Sequence, residues 1–369
     1  MKEIKAIIDT YSGIDFSTTK AALATVSRVE GSSYRRTGAR MLVLDNGTCV
    51  GGISGGCLEG DALRRAQKAI ALNKPSVVTY DTTQDDSHQI GVSLGCNGII
   101  DVLFTPLQAQ DAHNPVRLLT TIADTRVPRV VISITAAATN RDLLGQVLLY
   151  ENDDAFLQAL PQKEIATSVL QDLKTSLERQ VSQTVVYKAG NEEVKVFIEM
   201  ILPVTHLVIY GGNYDIYPLV RLARELGWNT TVVMNTARAE KTLFKTATHV
   251  LHNKRSDQPV IDPYTAVVLM AHDYETDLAN LRQVLHTNAA YIGLLGPRKR
   301  SQKMWDALAR EGCPISDQDA PRIFAPAGLD IGAVTPEEIA LSIVAEIRSH
   351  FAGRQGMSLR QKPGTIHEP

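Results

Sequence analysis

Long apolar runs are missing from this chain. Its longest, residues 130–138 and 266–271, fall far short of the roughly 18 residues that a membrane-spanning helix needs. Cysteine is scarce as well, and Cys49, Cys57, Cys96 and Cys313 are too few and too scattered for a disulfide framework. No CxxC pair or His/Cys cluster has the spacing of a zinc site. Neither sign of charge dominates: the 369 residues carry a formal net charge of −2, which excludes a strong overall field for nucleic acid or membranes. Any basic site has to be local. Internal repeats and low-complexity segments are lacking too, and Met1-Lys2-Glu3-Ile4-Lys5 offers no signal-peptide core. These absences point to a cytoplasmic protein with reduced thiols. At 44% hydrophobic and 21% charged residues, its composition is that of an ordinary globular chain. Its length predicts two domains, because single cores seldom grow past roughly 250–300 residues.

The pattern along the chain places the boundary at residues 203/204. Residues 1–203 read as a mixed α+β domain: a helix over 2–12, a strand over 21–29, and a hairpin over 39–53 around Asn46-Gly47. A helix over 58–72 follows, with strands at 76–80 and 99–104. Between these last two lies the polar stretch 81–98, carrying His88 and Cys96, and a loop so long is more often functional than decorative. A helix over 116–124, a strand over 129–136, helical stretches within 156–177 and a hairpin over 184–199 complete this domain. Residues 204–369 alternate short apolar strands (206–210, 230–234, 248–251, 266–270, 290–292) with helices, the pattern of a Rossmann-like, doubly wound parallel sheet. The fold class is therefore α/β overall. Thr335-Pro336-Glu337-Glu338 predicts a capping box at the start of the last helix.

What is present in unusual density is glycine around one thiol. Gly51, Gly52, Gly55, Gly56 and Gly60 surround Cys57 where a strand pattern gives way to a helix. Such a loop can take positive φ and bring backbone amides close to a ligand. A tight turn around a structural cysteine is the competing reading. Cys57 precedes a helix start, which would favour its thiolate. Just upstream, Arg35, Arg36 and Arg40 flank Gly38 and form either an anion-binding rim or a scatter of surface cations. Cys96 lies in a second glycine-flanked loop, Leu94-Gly95-Cys96-Asn97-Gly98. Cys49 alternates within a strand and reads as packing; Cys313, before Pro314, reads as incidental.

In the second domain the turn after strand 206–210 resembles a dinucleotide-binding turn with its fingerprint altered. The three glycine places of G-x-G-x-x-G hold Gly211, Asn213 and Ile216, next to Gly212, and the acid expected about 20 residues on is Asn235. Asp215 at the helix start is read as a cap ahead of a chemical role. Ala271-His272-Asp273 could orient an imidazole, or could merely precede a helix capped by Thr276 or Asp277. Gly293-Leu294-Leu295-Gly296-Pro297-Arg298-Lys299-Arg300, with Lys303 beyond, would suit a phosphate or form a solvated helix face.

Taken in order, several blocks resemble the XdhC/CoxI family of maturation factors for molybdenum hydroxylases such as xanthine dehydrogenase. The first-half blocks are Gly31-Ser32-Ser33-Tyr34-Arg35 with Gly38-Ala39-Arg40-Met41, Ser54-Gly55-Gly56-Cys57-Leu58-Glu59 and the Cys96 loop. The second half adds the Gly211 turn with Asp215 and Pro218, Ala271-His272-Asp273, the 291–296 segment, and Ala325-Pro326-Ala327-Gly328-Leu329-Asp330-Ile331-Gly332. The resemblance implies a protein that holds molybdenum cofactor while its terminal sulfur ligand is installed and then delivers it to an apoenzyme. That is an accessory role rather than a dehydrogenase activity. It implies a cofactor-binding set of Arg35, Arg40, Gly55, Gly56, Cys57, Glu59 and Cys96 in the first domain, with Cys57 as the metal contact. In the second domain the set is Gly211, Gly212, Asp215, His272, Asp273, Gly293, Gly296 and Arg298. The implied partners are a molybdenum hydroxylase apoenzyme and a cysteine desulfurase, and a homo-oligomer is expected. The departures at Asn213 and Asn235 weigh against NAD(P), which remains the cofactor of the alternative reading, a nicotinamide-dependent oxidoreductase. A scaffold whose second half docks the partner enzyme is a third reading.

Overall fold

A computed structural model describes residues 2–83, 98–254, 258–363 and 366. They divide into two units, one running to Pro203 and the other from Val204 to Pro363. The stretch 84–97, with His88 and Cys96, lies outside the described residues.

The first unit carries α1 (Lys2–Ser12), β1 (Ala21–Gly31), β2 (Arg40–Leu44), β3 (Cys49–Gly51), α2 (Glu59–Leu72), β4 (Ser76–Asp81), β5 (Gly98–Leu107) and α3 (Pro115–Ile122). It continues with β6 (Arg129–Ala137), β7 (Val147–Leu149), α4 (Asp153–Ala159), α5 (Lys163–Arg179), β8 (Gln183–Ala189) and β9 (Glu192–Ile201). These strands form two antiparallel sheets, β3-β2-β1-β5-β4 and β7-β6-β9-β8, a division that the hydrophobic pattern alone does not reveal. Side chains alternate along β1: Ala22, Ala24 and Val26 join the core under α2, whereas Ala21 and Leu23 join the core under α1. The β2–β3 hairpin turns at Asn46-Gly47 as expected, with Gly47 at φ +90. The second sheet packs against α4 through Phe156 and against α5 through Ile165, Val169 and Leu173.

Charged groups fasten the two sheets of this unit to each other. Arg40 on β2 makes a two-pronged contact with Glu199 on β9, one prong at 2.9 Å, and the side chains are only 4% and 7% exposed. Gly38 makes room for it, because a Cβ there would lie 2.6 Å from Glu199 Oε1. Asp101 on β5 accepts from Arg28 Nε (2.7 Å), Thr79 Oγ1 (2.7 Å) and, from the second sheet, Lys195 Nζ (2.6 Å). Burial pushes the Asp101 carboxyl up, but these bonds outweigh it and hold the group down to about 2.

The second unit contains β10 (His206–Tyr210), α6 (Ile216–Glu225), β11 (Asn229–Met234), α7 (Leu243–Thr246), β12 (His249–His252), β13 (Thr265–Leu269) and α8 (Tyr274–Leu285). After these come β14 (Tyr291–Leu294), α9 (Arg298–Arg310), β15 (Ile323–Phe324) and α10 (Pro336–Phe351). All six strands run parallel in the order β12-β11-β10-β13-β14-β15, the doubly wound arrangement expected from sequence. Leu207, Val208, Ile209 and Tyr210 are all buried, as a strand covered on both faces requires. One face packs on α6 and α10, the other on α8 and α9. β7 and β15 are too short, at three and two residues, to leave a readable period in the sequence. The capping box at Thr335 and Glu338 forms as predicted. Strand order reverses between β10 and β13, which makes their carboxyl ends the topological switch point.

The ion pairs set the expected stability of three variants. Glu199→Ala leaves a buried guanidinium unpaired and should cost about 3–5 kcal/mol in urea unfolding. Glu193→Ala, which breaks the exposed pair with Lys188, should stay within about 1 kcal/mol. Asp101 binds its proton more weakly folded than unfolded, so its contribution is complete above the unfolded value, about 4, and fades as pH falls through about 2. Asp101→Asn should therefore remove on the order of 2 kcal/mol of acid-dependent stability, seen as a flattened slope of unfolding free energy between these pH values.

Candidate functional site

The glycine–thiol loop leaves β3 and enters α2, and its entrance is pinned to Arg40. Gly52 N–H donates to the Arg40 carbonyl at 2.8 Å, and a Cβ at Gly51 would lie 2.4 Å from that oxygen. Glu3 on α1 accepts from Arg40 N–H (3.2 Å) and from Arg35 Nη2 (2.5 Å). Arg35 is thus paired and Arg40 is buried against Glu199. Of the three arginines of the expected anion rim, Arg35 and Arg40 are thus engaged by carboxylates of the chain itself.

Within the loop, Ser54 is the hub. Its N–H donates to Glu59 Oε1 (2.8 Å) and its hydroxyl to Glu59 Oε2, while Ser54 Oγ accepts from Gly56 N–H (3.2 Å) and Leu58 N–H (3.0 Å). Burial pushes the Glu59 carboxyl up, but the bonds from Ser54 outweigh it and keep the group below the usual carboxylate range. Glu59 therefore buttresses the loop from within. The Cys57 thiol is half-buried at the edge of the α2 core, with Sγ 3.4 Å from Ser54 Oγ and the start of α2 two residues on. Tyr34, 72% exposed, lays its ring over Gly55: a Cβ there would lie 3.1 Å from Tyr34 Cγ. Gly56 meets no neighbour but sits at φ +113, so its demand for glycine is conformational. Cys49, expected to pack, is instead exposed on the edge strand β3, and Cys313 is exposed as well.

In the second unit the switch point brings two predicted residues together. His272 Nε2 donates to Asp215 Oδ2 at 2.5 Å, joining the turn after β13 to the start of α6. Asp215 occupies the N-cap position of α6 but makes no capping bond, so the expectation of a simple cap gives way to this pairing. His272 holds a left-handed backbone (φ +61), a conformation that costs a non-glycine residue free energy and is found often at functional sites. Asp277 supports the turn by accepting from Ala271 N–H (3.0 Å) and Arg300 Nη2 (2.7 Å), and burial pushes its carboxyl up. The cap of α8 is neither Thr276 nor Asp277 but Asp273, which accepts from Thr276 N–H at 2.8 Å.

Packing accounts for three of the glycines. A Cβ at Gly211 would lie 2.5 Å from the Met270 carbonyl, at Gly212 2.9 Å from Met234 Cε, and at buried Gly293 2.8 Å from the Tyr291 ring. Gly296 turns the chain at φ +124 into α9, whose first residue, Arg298, is exposed. At the place of the ribose-binding acid, Asn235 accepts from Ala237 N–H and caps a short 3₁₀ turn. A cleft of about 900 Å³ opens beside this region, lined by His272, Tyr274, Lys299, Lys303, Asp306 and Arg310 among others. No grouping of three or more His, Cys, Asp or Glu suited to a metal occurs among the described residues.

Sequence reasoning overlooked Ser54, Glu3, Glu199 and Asp277 as the supports of these sites. Ser54 stands five residues before Glu59 at a helix entrance, a local signal that could have found it. Glu199 is 159 residues from Arg40, and no local pattern connects them.

Comparison with known proteins gives a consistent picture. The family profile "XdhC Rossmann domain" matches residues 207–347, and "XdhC and CoxI family" matches residues 17–81. A protein of Bacillus subtilis (strain 168), named as a probable component of xanthine dehydrogenase, is 28% identical over 89% of this chain and 92% of its own. "Molybdenum cofactor insertion chaperone PaoD" of Escherichia coli (strain K12) is 22% identical over 89% of this chain and 83% of its own. A crystal structure described as a xanthine dehydrogenase from Bacillus halodurans is 27% identical, with a TM-score of 0.71 over 98% of both chains.

Ser54→Ala should loosen the thiol loop by leaving Glu59, Gly56 N–H and Leu58 N–H short of a partner, at about 1–3 kcal/mol. Alkylation followed residue by residue by mass spectrometry should then run several-fold faster at Cys57 and unchanged at Cys49 and Cys313. A wild-type rate at Cys57 would show that Ser54 does not hold the thiol.

Proposed function

The chain belongs to the XdhC and CoxI family, and from that premise we propose that it carries molybdenum cofactor as cargo and delivers it to a molybdenum hydroxylase of the xanthine dehydrogenase type. The observation that carries this reading is the half-buried Cys57 thiol in a glycine loop braced by Ser54 and Glu59. A soft sulfur donor suits a molybdenum–sulfur centre. The unsubstituted Gly55 and Gly56 leave the thiol's surroundings free of side-chain bulk, and the exposed Tyr34 ring next to Gly55 offers a flat apolar face to a planar heterocycle. The relative named as a molybdenum cofactor insertion chaperone supports the same cargo.

In this reading Cys57 contacts the metal centre and Tyr34 flanks the ring system. Ser54 and Glu59 position the thiol without touching the cargo. Arg40 takes no part in binding the cofactor phosphate, because its charge is held by Glu199. Arg35 is available only in competition with Glu3. The partners are a hydroxylase apoenzyme and a cysteine desulfurase as sulfur source, and the protein works as a homo-oligomer in the cytoplasm. No described helix is long and apolar enough to cross a membrane.

Equilibrium dialysis of the full chain against molybdenum cofactor tests the thiol. Cys57→Ala should weaken retention about tenfold or more, which is roughly 1.4 kcal/mol or above, while Cys313→Ala should leave it unchanged. Full retention by Cys57→Ala would remove the thiol from the site.

A further inference from the structure

Electrostatics distinguishes the helix starts of the parallel-sheet unit. In a dinucleotide-binding fold the pyrophosphate sits before the helix that follows the first strand. Here that helix is α6, and the carboxylate of Asp215 stands at its N-cap position. A negative charge there repels an anion. The start of α8 carries the carboxylates of Asp273, Glu275 and Asp277. Around the cleft beside α9 the balance is reversed. Lys299 and Lys303 line it, and no ion pair engages them among the described residues; Arg310, at the far end of α9, also lines it, with its Nε donating to the Asp306 carbonyl at 3.1 Å. Arg300 also lines it, with its charge answered by Asp277 at 2.7 Å. Among the described residues Asp306 is the one acid in the lining. In a chain of net charge −2 this is a local excess of unanswered positive charge in a concave place. The cleft lies beyond the carboxyl ends of β13 and β14, where this fold places ligands.

The imidazole in the same lining is also held in place. Nε2 of His272 is tied to Asp215, so Nδ1 is the ring nitrogen left to meet a ligand. The turn that carries it is held by Asp277, which in turn is bound to Arg300 of the cleft. A volume of about 900 Å³ accommodates a ligand of nucleotide size.

We propose that this cleft binds a phosphate-bearing small molecule, its anionic group held by Lys299 and Lys303 in the first turns of α9 with His272 alongside. Phosphate recognition in this unit has then moved from the first strand–helix turn, now closed by Asp215, to the turns after β13 and β14. The proposal is independent of the cargo site, since nothing in it involves Cys57.

Calorimetric titration of the full chain at low salt tests it, with inorganic phosphate, pyrophosphate and adenosine diphosphate as separate probes. Pyrophosphate should bind with a dissociation constant below about 1 mM. Lys299→Gln combined with Lys303→Gln should weaken binding about tenfold, and His272→Asn about threefold, with unfolding midpoints unchanged. Lys241→Gln combined with Lys245→Gln, exposed lysines away from the cleft, and Cys57→Ala should each leave it as it was. Tighter binding of adenosine diphosphate than of pyrophosphate supports a nucleotide as the ligand, and equal binding supports recognition of the phosphate groups alone. Absence of heat with all three probes overturns the site. So does equal weakening by the control lysine pair, or loss of binding in Cys57→Ala.

Discussion

The buried pair between Arg40 and Glu199 is the constraint on which the first unit depends. Removing two charges from water costs several kcal/mol per ion, and only close, two-pronged geometry returns that cost. The fold meets this demand with Gly38, whose missing side chain admits Glu199, and with the Gly38 carbonyl, which accepts from Arg40 Nη1 at 2.7 Å. The pair spans two antiparallel sheets, so the sheets cannot shift without uncovering a charge. Because the backbone of the same arginine receives Gly52 N–H and donates to Glu3, the pair also sets where the thiol loop begins.

This arrangement separates two kinds of chemistry. In the first unit Arg35 and Arg40, beside the loop, are answered by carboxylates of the chain, so what the loop offers a ligand is soft: a thiol, bare backbone and an aromatic face. In the second unit the acids gather at the starts of α6 and α8, and Lys299 and Lys303 on α9 carry no ion pair among the described residues. A soft metal centre and a phosphate group ask for these two environments respectively. The His272–Asp215 pair draws on both elements of the switch point, the place where a doubly wound sheet leaves a crevice because neighbouring connections run to opposite faces.

Much of this was legible beforehand. The hairpin at Asn46-Gly47, the Thr335 capping box and the alternation from β10 to β14 are local patterns, and local patterns survive folding because backbone geometry imposes them. The loop around Cys57 announced itself by glycine content, although its hub, Ser54, did not. Arg40 misled, since an arginine beside glycines reads as an anion site until its partner 159 residues away is known. Asp215 and Asp273 exchanged expected roles, the first leaving its helix to hold an imidazole and the second becoming the cap.

By itself the sequence determined the class of each half, the positions of most helices and strands, and the two segments where glycines gather beside a thiol or a run of cations. It did so because periodicity, turn residues and caps act within a few residues. Only the tertiary structure decided which charges remain free to meet a ligand. Coulombic pairing depends on distance in space: the contacts that neutralise Arg40 and orient His272 join residues that no local spacing connects, and Lys299 and Lys303 are left without an ion pair among the described residues.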